Sequence, residues 1–369
     1  MKIETTKDRL ADALQKAEKV TAKNANLPVL KCVLLEASKG SLFVRSTNLD
    51  IGLEISVPVK IEEEGIVAVP GNILSSYISQ LPVDKSIQIE HKVIGGLKVS
   101  TTKNSTSIKT FSPEEYPPIP KVDTDTSKSF KIEARAFVSG LKAVWYSSAN
   151  SNIKPELSSV RVYPDGNNLV FVATDGFRLA EKKVKIDQMP DFTHILIPVR
   201  NASEIIRIFD GVDETVEVFI DDNQIAIKSG SIYLVSRTIE GNFPDYKAII
   251  PKEFVSTVVV LKQDLSNAFK INTLFSDSFY HISFSIDPKE KKFTLSTKNN
   301  EVGESSTDVP STLEGESLQI NFNYRYINDC LASMNTDSLS FEFSGSNRPL
   351  VIRPVQDTSF LYLVMPMNR

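Results

Sequence analysis

Apolar positions in this chain follow two periods in alternation, and the alternation itself repeats. Leu10, Leu14 and Ala17 share one face at helical spacing and predict an amphipathic helix. Roughly 125 residues further on, Phe137, Leu141 and Val144 reproduce the pattern, and after a similar interval Leu265, Phe269 and Asn272 do so with one polar exception. Ser41–Thr47, Asn168–Thr174 and Lys292–Thr297 alternate with period two, as strands do. A second helix is expected near Pro70, Pro198 and Asn321, the two prolines suiting a first helical turn where no donor is missed. Strand-like Ser86–Ile89, Thr215–Val218 and Ser338–Phe341 follow in the same order. The joins also look alike: Ser112-Pro113-Glu114-Glu115-Tyr116-Pro117-Pro118 and Gly241-Asn242-Phe243-Pro244-Asp245-Tyr246 are Pro-containing linkers with an aromatic residue. The expected architecture is α+β: three repeated domains, 1–124, 125–252 and 253–369, each of antiparallel sheet with two helices.

The chain has 369 residues, too many for one ordinary core, with 41% apolar and 24% charged residues. No apolar run approaches the roughly 20 residues that cross a bilayer. The start, Met1-Lys2-Ile3-Glu4, lacks a secretory h-region. Cys32 and Cys330 lie far apart and suggest neither a disulfide framework nor a metal knuckle, so a reducing cytosol is expected. The formal net charge is −4, which argues against a protein that holds nucleic acid by bulk electrostatic attraction.

No catalytic or metal site is expected from the residue pattern. P-loop, dinucleotide, H-E-x-x-H and C-x-x-C signatures are absent. His91, His194 and His281 fall in or beside strand patterns of three different domains and read as structural or solvent-facing. Glu62-Glu63-Glu64-Gly65 reads as a solvated turn, and Asp175 in Thr174-Asp175-Gly176 as turn chemistry rather than a catalytic carboxylate. No cofactor is expected.

Four segments carry a resemblance. Ala173-Thr174-Asp175-Gly176-Phe177-Arg178-Leu179-Ala180 resembles the T-D-G-x-R-L-A signature of the bacterial β sliding clamps, the β subunits of DNA polymerase III. Gly241 to Tyr246 is similar to the family's F-P-D-Y turn, Tyr362 to Met367 to its closing V-M-P-M strand, and Leu27-Pro28-Val29-Leu30 to its L-P-I-L element. Their order, over a threefold repeat, makes the resemblance span essentially the whole chain. It implies a non-enzymatic processivity factor: two chains joined head to tail into a closed ring that encircles duplex DNA. Sheets would form the outer wall, helices would line the hole, and a topological link would hold an acidic protein on a polyanion.

The resemblance also assigns residues. A partner-peptide pocket would be formed by Leu157, Thr174, Gly176, Phe177, Arg178, Leu179, Pro244, Ile249, Leu363, Met365, Pro366 and Met367, with the methionines adaptable and one cation to orient the peptide. Phe177 stands where the family commonly has histidine and Ala248 where it has a basic residue, which implies a more apolar pocket. DNA-facing candidates are Lys16, Lys19, Lys23, Arg135, Lys142, Arg200, Arg207 and Arg325, interspersed with Asp12, Glu18, Glu204 and Asp329. Contacts to phosphate there would be sequence-independent and salt-sensitive. Ile108 would meet Leu274 and Phe275 at the subunit joint, with Thr106 at an often apolar position. Implied partners are double-stranded DNA, the polymerase III alpha subunit, the clamp loader, other proteins bearing a clamp-binding motif, and a second copy of the chain, in a cytoplasmic, nucleoid-associated setting without a membrane. The competing expectation is an exported three-domain β-rich adhesion or scaffold protein.

Overall fold

A computed structural model describes residues 1–22, 27–82, 86–92, 96–123, 127–151, 153–188 and 191–367. Its helices follow the periodicity. α1 (Lys7–Val20) buries Leu10, Leu14 and Ala17, and α5 (Lys262–Asn272) buries Leu265 and Phe269. α3 (Ala134–Val144) buries Phe137, Leu141 and Val144. Asn272, the polar exception, is fully buried and only partly satisfied: its side-chain Oδ1 meets no donor among the described residues. Its Nδ2 donates to the Ala268 carbonyl at 2.9 Å and to Thr307 Oγ1 at 3.0 Å, and its main-chain carbonyl accepts from Thr297 Oγ1 at 2.8 Å.

The second helices are α2 (Gly71–Gln80), α4 (Val199–Phe209) and α6 (Tyr324–Ser333). Pro70 and Pro198 lie one residue earlier than expected: each ends a strand and precedes its helix instead of occupying the first turn. The third start moves further, because strand Leu318–Asn323 runs on past Asn321 and the Asn323 side chain then caps α6 by accepting from Arg325 N at 3.0 Å.

The chain divides into two compact units, Met1–Val138 with Ser203–Thr238, and Ser139–Ala202 with Ile239–Arg369; the division passes through α3 and α4, in the middle repeat. The first unit holds a five-stranded and an eight-stranded sheet, the second a nine-stranded and a four-stranded one. All described strand pairs are antiparallel.

In both units one sheet runs from one repeat into the next. In the first, Ile51–Pro58 pairs with Ile232–Arg237, Ile55 opposite Ile232. In the second, Arg178–Lys185 pairs with Phe360–Val364, Arg178 opposite Val364. These pairs use equivalent strands of the repeat: the one that follows the repeated threonine, and the last strand of the domain. The remaining equivalents, Gly303–Asp308 and Ser105–Ile108, are edge strands of the four- and five-stranded sheets.

The linkers pack on the sheets. In the first unit Tyr116 buries against Val29, Cys32, Leu34 and Ala68, with its hydroxyl donating to the Cys32 carbonyl at 3.3 Å. Ile119 crosses Gly52 so closely that a Cβ there would lie 2.9 Å from its methyl group, so glycine is needed for the linker to pass. In the second unit Phe243 and Tyr246 bury among Tyr163, Val172, Leu179, Leu196, Leu361 and Leu363. The Tyr246 hydroxyl donates to the buried Glu181 carboxylate and lies 2.6 Å from the Tyr163 hydroxyl.

Candidate partner-binding site

The sequence Thr174-Asp175-Gly176-Phe177-Arg178 is a tight turn between two strands. Thr174 Oγ1 donates to the Arg178 carbonyl at 2.7 Å and accepts from Gly176 N at 3.1 Å, while Asp175 Oδ1 accepts from Phe177 N and Arg178 N at 2.9 and 3.0 Å. Gly176 has φ 91°, a left-handed conformation that glycine adopts without strain. The first repeat builds the same turn from Thr47 and Asn48, with Leu49 at φ 78°. Asp175 is therefore turn chemistry.

What distinguishes the second copy is Phe177, whose side chain is 63% exposed at the tip. Beside it runs the C-terminal segment. Arg178–Lys185 pairs with Phe360–Val364, after which Met365 N donates to the Phe177 carbonyl and Met367 N to the Asn321 carbonyl, both at 2.8 Å. Met365 packs on the cluster that contains Leu179, Leu363 and Tyr246. Three of the four family-like segments, the turn, the linker and the tail, thus meet at one apolar cluster in the second unit.

The residues assigned to the pocket divide by exposure. Leu179 and Leu363 are fully buried. Gly176, Phe177, Pro244 and Ile249 are exposed, and Met365, Pro366 and Met367 half-buried, so these seven offer surface. Thr174 closes the turn. Leu157 lies on a separate turn, its carbonyl accepting from Ala149 N at 2.8 Å, and among the described contacts nothing ties it to the cluster.

Arg178, expected as a cation that orients the peptide, is engaged within its own chain. Its side chain is only 9% exposed, with Nε donating to Asp175 at 3.0 Å and Nη1 to Asp329 at 2.7 Å. The guanidinium lies 4.5 Å from the Tyr326 ring centre and 5.9 Å from that of Tyr146. Burial works against the cation, but Tyr362, Asp329 and Asp175 outweigh it and raise its pKa. Around it Tyr146 stacks on Tyr362, and the Tyr362 hydroxyl donates to the Tyr326 carbonyl at 2.7 Å. The sequence motif could not reveal this, because Asp329 and Tyr326 arrive from α6.

The helix cations are mostly engaged. Lys16 pairs with Asp12 at 3.0 Å, Lys19 with Glu18 at 3.5 Å, Arg135 with Asp213 at 2.6 Å and Arg207 with Glu204 at 2.7 Å. Arg325 stacks over Tyr280 at 3.5 Å, and Lys142 and Arg200 are likewise engaged. Lys23 lies outside the described residues. Of the residues assigned to the joint, Leu274 is 73% exposed, Phe275 is half-buried and Ile108 is already buried in its own sheet. Sequence reasoning passed over exposed Ile73, Ile271 and Val302. For Ile73 and Ile271 the signal was there: both are apolar residues off the buried face of their helices.

Among the described residues no group of three or more His, Cys, Asp or Glu side chains is placed to hold a metal ion, and no helix is long and apolar enough to cross a membrane.

A threefold α+β repeat whose sheets run from one repeat into the next, with an apolar site where turn, linker and tail converge, defines a clamp-type scaffold. Sequence profiles for the N-terminal, central and C-terminal domains of the DNA polymerase III beta subunit match residues 1–120, 131–245 and 247–368. The chain belongs to the DNA polymerase III beta subunit family, the bacterial sliding clamps. It is 29% identical to the beta sliding clamp of Synechococcus elongatus and 23% identical to that of Staphylococcus aureus, alignments covering 100% of this chain and 99% of each relative. Solved structures agree. The Thermotoga maritima beta subunit superposes with a TM-score of 0.92 at 26% identity over 100% of this chain and 99% of that one; a Pseudomonas aeruginosa sliding clamp gives 0.90 at 25% over 100% of both. The protein is a non-catalytic processivity factor of DNA polymerase III, and the adhesion alternative falls away.

Proposed function

We propose that two copies of this chain close head to tail around duplex DNA, and that the apolar site built from Gly176, Phe177, Pro244, Ile249, Met365, Pro366 and Met367 tethers the polymerase and other proteins through short peptide segments. The supporting observation is the unfinished repeat of sheet joins. Two of three equivalent strand pairings are made within the chain, and the third pair, Gly303–Asp308 and Ser105–Ile108, is left as two edges. Pairing those edges between copies removes both and gives every repeat the same neighbours. Exposed charges suit the match: Lys98, Lys103 and Lys109 flank one edge, and Glu301, Glu304 and Asp308 lie along the other. Leu274, Ile271 and Val302 supply apolar surface beside the second edge.

Domain boundaries near 124 and 252 are part of this reading; residue 124 itself lies outside the described residues. The helices of the described residues line the hole. Because so many of their cations are paired internally, they hold DNA weakly, and retention comes from closure. The clamp loader, the polymerase alpha subunit and other motif-bearing proteins are the partners, and the site of action is the cytoplasmic nucleoid.

The test is retention on nicked circular DNA after loading by a compatible clamp loader, before and after linearisation. Retention on circles through moderate salt with loss from linear ends is expected. Verified loading followed by release that ignores the ends refutes the ring.

A further inference from the structure

The charges around the peptide site have an order that the motif does not convey. Arg178 is the cation embedded in the turn, and both of its charge-assisted contacts go to carboxylates of this chain. Asp175 is saturated, since Oδ1 accepts from two backbone amides and Oδ2 from Arg178. Asp329 is not. Its Oδ2 accepts from Arg178, its Oδ1 meets no donor among the described residues, and its side chain is 44% exposed. One arginine between two carboxylates leaves a net negative charge, displayed on Asp329. Lys247 in the linker turn is tied to Asp165 at 2.9 Å, and Arg325, four residues before Asp329, lies over the Tyr280 ring. The neighbouring contact surface is apolar and aromatic: Phe177, with Met365 held to its backbone.

Resting on the pocket reading above, we propose that this site selects partner segments that carry a cationic side chain, arginine above all, beside their apolar anchors, and discriminates against a carboxylate there. The guanidinium of a partner arginine donates to the open Asp329 oxygen, while an apolar or aromatic anchor packs on Phe177 and Met365. A partner carboxylate at the same place meets Asp329 with no unengaged cation in the turn to receive it, because Arg178 is buried and doubly bonded. Asp329 is thus a specificity-determining residue and Arg178 the positioning residue that holds it.

Fluorescence anisotropy on the full-length protein tests this with two labelled synthetic peptides. They share a Leu and a Phe anchor and differ only in Arg or Glu beside the anchors. The Arg peptide is expected to bind about fivefold tighter at low salt, with the gap shrinking toward unity at about 0.5 M salt. Asp329→Asn should erase the preference while both peptides still bind, and Phe177→Asp should abolish both. Equal affinities, or preference for Glu, overturn the proposal yet leave the pocket standing if Phe177→Asp still abolishes binding. Failure of both peptides to bind, or indifference to Phe177→Asp, overturns the pocket reading as well.

Discussion

Replacing Arg178 by methionine decides between two roles for it, peptide contact or internal rivet. The substitution keeps an unbranched stem and removes the charge and all five donors. Two charge-assisted bonds are lost, one to well-buried Asp175 and one to Asp329, which is more exposed and therefore screened. A bond to a buried charge contributes roughly 1.5–3 kcal/mol, the more exposed pair below about 1 kcal/mol, and the contact with the Tyr326 ring about 0.5 kcal/mol. The expected loss is about 3 kcal/mol, at the low end of the cost of removing one partner from a buried pair. The assay is at hand in the sequence: Trp145 is the single tryptophan, next to Tyr146, so urea unfolding followed by its fluorescence reports on the unit that contains the site. If the variant keeps its stability within about 0.5 kcal/mol while peptide affinity falls about tenfold, Arg178 contacts the peptide directly and the rivet is refuted.

Two further perturbations test the packing and the charges. A Cβ at Gly140 would overlap the ring of buried Phe171, so Gly140→Ala should destabilise by about 1–2 kcal/mol despite its gain in helix propensity, and Phe171→Leu should partly restore it; thermal unfolding of both variants reads the result. Glu54 is partly buried, which raises its pKa, but bonds from Lys121 and Arg45 outweigh burial and hold it below the ordinary carboxylate range. Its stabilisation is complete above the unfolded pKa of about 4.3 and fades as pH falls through the lower folded value, so Glu54→Gln should cost about 1 kcal/mol at neutral pH and progressively less in acid; a constant difference across that titration contradicts the assignment.

Much of the architecture was legible because a core face has a period. Leu10, Phe137 and Leu265 mark their helices wherever they occur, since each helix must bury one stripe against a sheet. Asn272 shows the limit: its place in the pattern was visible, but its partners Thr297 and Thr307 come from strands beyond the helix. Strand pairing between repeats was less accessible still, because Ile55 and Ile232 become neighbours only through tertiary structure.

The repeat, the helix faces, the turn at Thr174–Arg178 and the family are legible in the amino-acid order alone, because these rest on local periodicity, on glycine and proline chemistry and on motif order. What Arg178 pairs with, which motif residues are buried and which exposed, and which strand edges remain open emerge only once the chain is folded. Those outcomes depend on groups that long stretches of chain bring together, and the charge of a side chain says nothing of the partner that neutralises it. Arg178 could be read as a free cation from its neighbours in sequence, and Asp329, some hundred and fifty residues away, makes it a buried one.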